Sequence, residues 1–137
     1  MSKKSEHIAA RIRQFEGRGL DPHYLGYFDC FNQRLYFEAH DVLEELWLQD
    51  RHGANGNFYK GLIQLAGAFV HLQKGRLRPA VALFRLAEAN LRNYAPMHER
   101  LNVGGVLELI EIWVRRVEQG EENPLQAGNA PALRLEG

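Results

Sequence analysis

Cysteine is nearly absent from this chain. Cys30 stands alone among 137 residues, which excludes an intrachain disulfide framework. Close to Phe28 and Phe31, the thiol reads as a small buried hydrophobe rather than a nucleophile, and a reducing cytoplasm is the default compartment. Neither sign of charge is in excess. Lys plus Arg and Asp plus Glu number 17 each, a formal net charge of zero, so the electrostatic footprint of a nucleic-acid or anionic-membrane binder is missing. No apolar run approaches membrane-spanning length, and Met1 to Arg18 carries basic residues without the apolar core of a signal peptide. There is no Gly-rich phosphate loop and no Cys-x-x-Cys pair. The metalloprotease pattern His-Glu-x-x-His also fails, because position 41 is Asp and position 44 is Glu.

Strand patterns are lacking too, and helical periodicity fills the space. An amphipathic segment from Ser5 to Glu16 sets Ile8, Ile12 and Phe15 on one side before Gly17-Arg18-Gly19 breaks it. Asp21-Pro22 is a helix start, a capping carboxylate before a first-turn proline. That helix runs toward Asn32-Gln33, where Asn32 is a candidate C-terminal cap separating it from a second helix at Leu35 to Asp50; a single bent helix is the alternative. Gly53 to Asn57 is a loop, Phe58 to Lys74 the most apolar stretch, and Arg78-Pro79 opens a helix lasting until Ala95-Pro96. A last helix spans Val103 to Gln119, with Glu111 and Arg115 as an i,i+4 pair on its outer face. Short connections imply antiparallel neighbours. The expectation is an all-α, antiparallel up-and-down bundle of five to six helices over residues 1–120, followed by an extended or disordered tail over 121–137.

The chemistry concentrates in His40-Asp41-Val42-Leu43-Glu44-Glu45-Leu46-Trp47, a His-x-x-x-Glu-x-x-Trp pattern. On a helix His40 and Glu44 stand one turn apart on one face, with Trp47 alongside. An imidazole nitrogen and a carboxylate oxygen at that spacing can converge on one metal ion or one proton. Tyr36, Phe37, Leu43, Trp47 and Leu48 flank the pair, while Glu38, Asp41, Glu45 and Gln49 gather opposite as the solvent face. His40 and Glu44 are therefore expected to be mostly buried, within hydrogen-bonding or co-ligand reach of one another. The alternative is a structural pair that fixes helix register without chemistry. His7, His23, His52 and His98 lie in polar or loop contexts and read as solvated.

The Phe58 to Lys74 helix adds a second stripe. Lys60, Gln64 and His71 share one side, with Gly67 and Ala68 between them, on an otherwise apolar circumference. It reads either as the exposed edge of a central helix or as donors and acceptors facing a ligand. Packed against the motif helix across a short loop, it brings His71 toward His40 and Glu44.

The residues Phe31-Asn32, then Tyr36 to Trp47, resemble the signature of the family called domain of unknown function 309. Lys60 to His71 is also similar to that family, and the likeness extends over Asp21 to Leu91. The resemblance implies an all-helical fold and a suggested metal-binding motif at His40, Glu44 and Trp47, without an established activity.

Three functional readings follow. In the first, a divalent ion (zinc, nickel or manganese) is held by His40 and Glu44 with His71 as third ligand, Glu44 taking part in a metal-dependent hydrolysis. Trp47 would restrict the rotamers of the pair and Gln64 orient the imidazole. In the second, the chain is a noncatalytic bundle that binds a protein partner. In the third, a metal-free small-ligand binder or acid–base enzyme uses Glu44 as base, with His71 or Lys60 in support. A small molecule or ion is the expected partner, with neither nucleic acid nor membrane, and a homo-oligomer is compatible with all three readings.

Overall fold

The structure is a computed structural model and describes residues 3–120 and 122–137. Residues 1 and 2 of the expected domain, and 121 at the start of the expected tail, lie outside the described residues. Six α-helices follow one another: α1 Lys3–Ile12, α2 Pro22–Asn32, α3 Tyr36–Asp50, α4 Gly56–Gln73, α5 Leu77–Leu91 and α6 Val103–Glu118. The all-α bundle expected from periodicity is present, and no described helix is long and apolar enough to cross a membrane.

Local chemistry sets the helix ends. Asp21 caps α2 by accepting from the His23 amide, with Pro22 in the first turn. The boundary between α2 and α3 is real: these are two helices, not one bent one. Its left-handed residue is Arg34 (φ 64°) rather than Asn32. The Arg34 amide donates to the Phe31 carbonyl and the Leu35 amide to that of Cys30, the paired bonds of a Schellman ending. Helix α4 ends in the same way on Gly75, with Arg76 donating to the His71 carbonyl. Asn102 caps α6 by accepting from the Gly105 amide.

Consecutive helices pack against each other, and α4 lies between α3 and α5. It is the most buried element, with Phe58, Leu62, Leu65, Ala66, Ala68, Phe69 and Leu72 fully enclosed. Phe69 stacks on Tyr36 and meets Phe31, Phe84 and Trp113 edge-on, with ring centroids 5.1–5.6 Å apart. Gly61 lets α5 approach: a β-carbon there would stand 2.7 Å from Leu91 Cγ. Cys30 is fully buried, and burial pushes its thiol up in pKa.

Two features depart from the periodicity. Met97–His98 (β1) and Leu101–Asn102 (β2) pair antiparallel ahead of α6. Their turn residues Glu99 and Arg100 are both left-handed, φ 47° and 62°. Glu-Arg lacks the Asn-Gly character that announces such a turn, so the sequence gives no signal for it. Glu111 also leaves the expected partner Arg115 and meets Arg85 of α5 at 2.5 Å. Residues 122–137 form neither helix nor strand, yet Leu133 is 5% exposed and joins the core.

Candidate functional site

Helix α3 presents a different face to the core from the one its composition suggests. Its buried residues are Tyr36, Ala39, Val42, Leu43 and Leu46, while Phe37 and Leu48 are 56% and 55% exposed. The helix is thus rotated so that His40 and Glu44 sit at the rim. Their side chains are each 32% exposed, mostly covered as expected but at the edge of the core rather than within it. The cause is that Phe37 and Leu48 are apolar but not internal, so the apolar arc is wider than the buried one.

His40 Nε2 lies 3.9 Å from Glu44 Oε2, too long for a hydrogen bond. The closer partner of the imidazole is Asp41, whose Oδ1 is 3.2 Å from Nδ1. Asp41 was expected on the solvent face, but its side chain is only 18% exposed. The reason is α1, which the motif gave no hint of: Lys4 brings its ammonium within 3.3 Å of Asp41 and 3.5 Å of Glu44. Lys4 sits one turn before the buried Ile8 on α1, so this spacing is the one signal that could have placed it over the acidic pair.

His40 also turns toward α4. Phe37, His40, Ile63, Gln64, Gly67, Val70, His71 and Leu83 line a half-open concavity of about 210 Å³ between α3, α4 and α5. The two polar stripes expected to face each other therefore do so in part. His40, Gln64 and His71 converge; Glu44, Trp47 and the exposed Lys60 are not in the lining. Phe37 rather than Trp47 lies parallel to the His40 ring, 6.4 Å between centroids.

Each polar group here has one free function. Asn90 donates to Gln64 Oε1 at 2.7 Å, which fixes the amide orientation and leaves its NH₂ without a protein acceptor among the described residues. His71 Nδ1 is buried and has no hydrogen-bond partner. Burial, with Arg76 and Lys74 nearby, lowers the pKa of His71, so the ring is neutral at pH 7 and carries one donor and one acceptor nitrogen. Gly67 makes the space: a β-carbon there would lie 3.1 Å from Leu83 Cδ1. Trp47 Nε1 and Tyr36 Oη are also buried without partners.

For a resident metal ion the donor set does not fit. Among the described residues no three His, Cys, Asp or Glu side chains gather to hold an ion. Glu44 and Asp41 already face the Lys4 ammonium, and His71 shares the concavity with His40 but not with Glu44. Two further histidines are not solvated as their contexts suggest. His23 is held between Asp21 and Glu45, at 2.9 and 3.0 Å. His98 lies against the Phe58 and Tyr94 rings, 4.7 and 4.8 Å between centroids, and bonds Asn55.

The family described as "Domain of unknown function (DUF309)" matches residues 24–83. The "Uncharacterized protein YpuF" of Bacillus subtilis (strain 168) is 31% identical over 100 residues, a stretch covering 69% of this chain and 56% of that protein. The chain thus spans little more than half the length of that relative. No solved structure matches it.

Proposed function

We propose that this chain, whose central segment 24–83 is a DUF309 segment, is a binding module for a small, largely apolar molecule. The observation that carries the reading is the concavity walled by Phe37, Ile63, Val70 and Leu83, on which His40, Gln64 and His71 converge and where the Gln64 NH₂ has no acceptor among the described residues. The size restricts the occupant. About 210 Å³ is below the roughly 300–1,000 Å³ of pockets for drug-sized ligands and above the roughly 150 Å³ that admits benzene. One ring with a short polar handle fits: a carbonyl or carboxylate accepts from the Gln64 NH₂, and a second polar atom meets His71. With Glu44 outside the lining and engaged by Lys4, the arrangement supports binding better than acid–base turnover.

The test is a screen of single-ring amides and acids against the ¹⁵N-labelled protein. Binders should shift the amides of Gly67, Val70, His71 and Leu83 together. Gly67→Leu, which fills the space, should remove the effect. Absence of any such binder, or shifts that survive Gly67→Leu, would overturn the reading.

A further inference from the structure

The polar wall of the concavity is set by a residue outside it. Helix α5 buries Ala80, Phe84, Ala87 and Leu91, and this stripe seats it on α4. The seat is closest at Gly61, where a β-carbon would stand 2.7 Å from Leu91 Cγ and 3.3 Å from the Ala87 carbonyl oxygen. Leu83 and Asn90, two turns apart on α5, share one flank of the buried stripe. Leu83 joins the concavity and Asn90 does not. At the separation that Gly61 permits, Asn90 reaches across to α4 instead and donates from Nδ2 to Gln64 Oε1 at 2.7 Å.

A carboxamide has one accepting end and one donating end. With Oε1 taken by Asn90, the end that Gln64 has left to offer is its NH₂, for which no acceptor exists among the described residues. Charge adds a second constraint. The lining holds no Lys, Arg, Asp or Glu side chain. Lys74 and Arg76, whose charges act on His71, stand outside it, and Asp41 and Glu44 face Lys4. An ionised carboxylate entering the concavity would be stripped of water with no Lys or Arg side chain to meet it, which is costly. An uncharged carbonyl oxygen accepts the same hydrogen bond without that cost.

Resting on the reading of this concavity as a binding site, we infer that Asn90 fixes its hydrogen-bond polarity, so that the ligand is an uncharged carbonyl compound (a ring ketone, amide or lactam) rather than a carboxylate or an amine. Asn90 is a positioning residue. It stays clear of the ligand and acts by holding the Gln64 amide in one of its two orientations. An acceptor at position 90 reverses that hold: in Asn90→Asp the carboxylate takes the Gln64 NH₂ and turns Oε1 toward the concavity, so the site then calls for a donor.

The experiment titrates the ¹⁵N-labelled full chain at pH 7 with acetophenone, aniline and benzoate, which present to the site an acceptor, a donor and a charged acceptor on the same ring. The unaltered chain should bind acetophenone at least about tenfold more tightly than either of the others. Asn90→Asp should invert the order of acetophenone and aniline. Asn90→Leu, which leaves the amide free to turn, should bring the two within about threefold of each other. A purely structural role for Asn90 would lower both affinities in parallel and leave their order alone. An order that survives Asn90→Asp, or benzoate binding more tightly than acetophenone, overturns the inference while leaving the concavity a binding site. Binding of none of the three removes the site and the inference with it. Should the variants fail to fold, the side-chain amide resonances of the unaltered chain decide: acetophenone should move the Gln64 NH₂ pair more than the Asn90 pair, and the reverse would overturn the inference.

Discussion

Phe69 is the residue on which the aromatic core turns, with four rings from α2, α3, α5 and α6 in contact with it. Phe69→Ala should cost about 3–5 kcal/mol, read as a fall in the urea midpoint, because it removes buried area and leaves a void that five helices cannot close at once. A loss below about 1 kcal/mol would show that the rings repack. His40 makes the opposite case. It is one-third exposed and its neighbour Glu44 already faces Lys4, so His40→Ala should change stability by less than about 1 kcal/mol. Zinc should raise the melting temperature of neither protein; a rise in the unaltered chain that His40→Ala removes would restore the metal ion at the motif.

Some helix ends were legible in the sequence because one residue there has a dominant local role, as with Asp21 and Pro22 before α2 and Gly75 after α4, whereas α3 and α5 begin without a side-chain cap. The turn at Glu99 and Arg100 was not legible, since two left-handed residues without glycine or asparagine are held from outside. Tyr24 Oη donates to the Glu99 carbonyl at 2.9 Å and the Glu136 amide to that of Arg100. Glu99→Asn with Arg100→Gly supplies the residues such a turn prefers and should stabilise the chain by about 1 kcal/mol in urea unfolding; no gain would mean the turn carries little strain. The candidate site was half legible for a related reason. Periodicity on α3 and α4 brings His40, Gln64 and His71 to one side, but the rotation of α3 depends on what covers Phe37 and Leu48, which one helix cannot report. Lys4 escaped because its partners lie on another element. Gly67 on α4 offers an element-scale check: Gly67→Ala improves helix propensity by about 1 kcal/mol while narrowing the concavity against Leu83. Stability should hold or rise as ligand binding falls.

Across the molecule, tyrosine hydroxyls sit deep in the bundle. Burial raises the pKa of Tyr24 and Tyr27 well above its usual value near 10 and pushes Tyr36 up to about 12. A phenol that keeps its proton longer in the folded chain contributes stability that is intact below pH 10. That contribution is lost as pH rises toward the folded value, because unfolding then releases the proton. Urea midpoints should therefore be level from pH 8 to about pH 9.5 and fall steeply by pH 11, with Tyr36→Phe flattening part of the fall; an unchanged midpoint at pH 11 would contradict this. The contact between Asn32 and Leu133 spans 101 residues of chain. On a ribosome adding about 5–20 residues per second, α2 emerges some 5–20 seconds before the segment that will cover it. For that interval Asn32 has no Leu133 to bond, and this flank of α2 closes only once the later stretch of chain has been made.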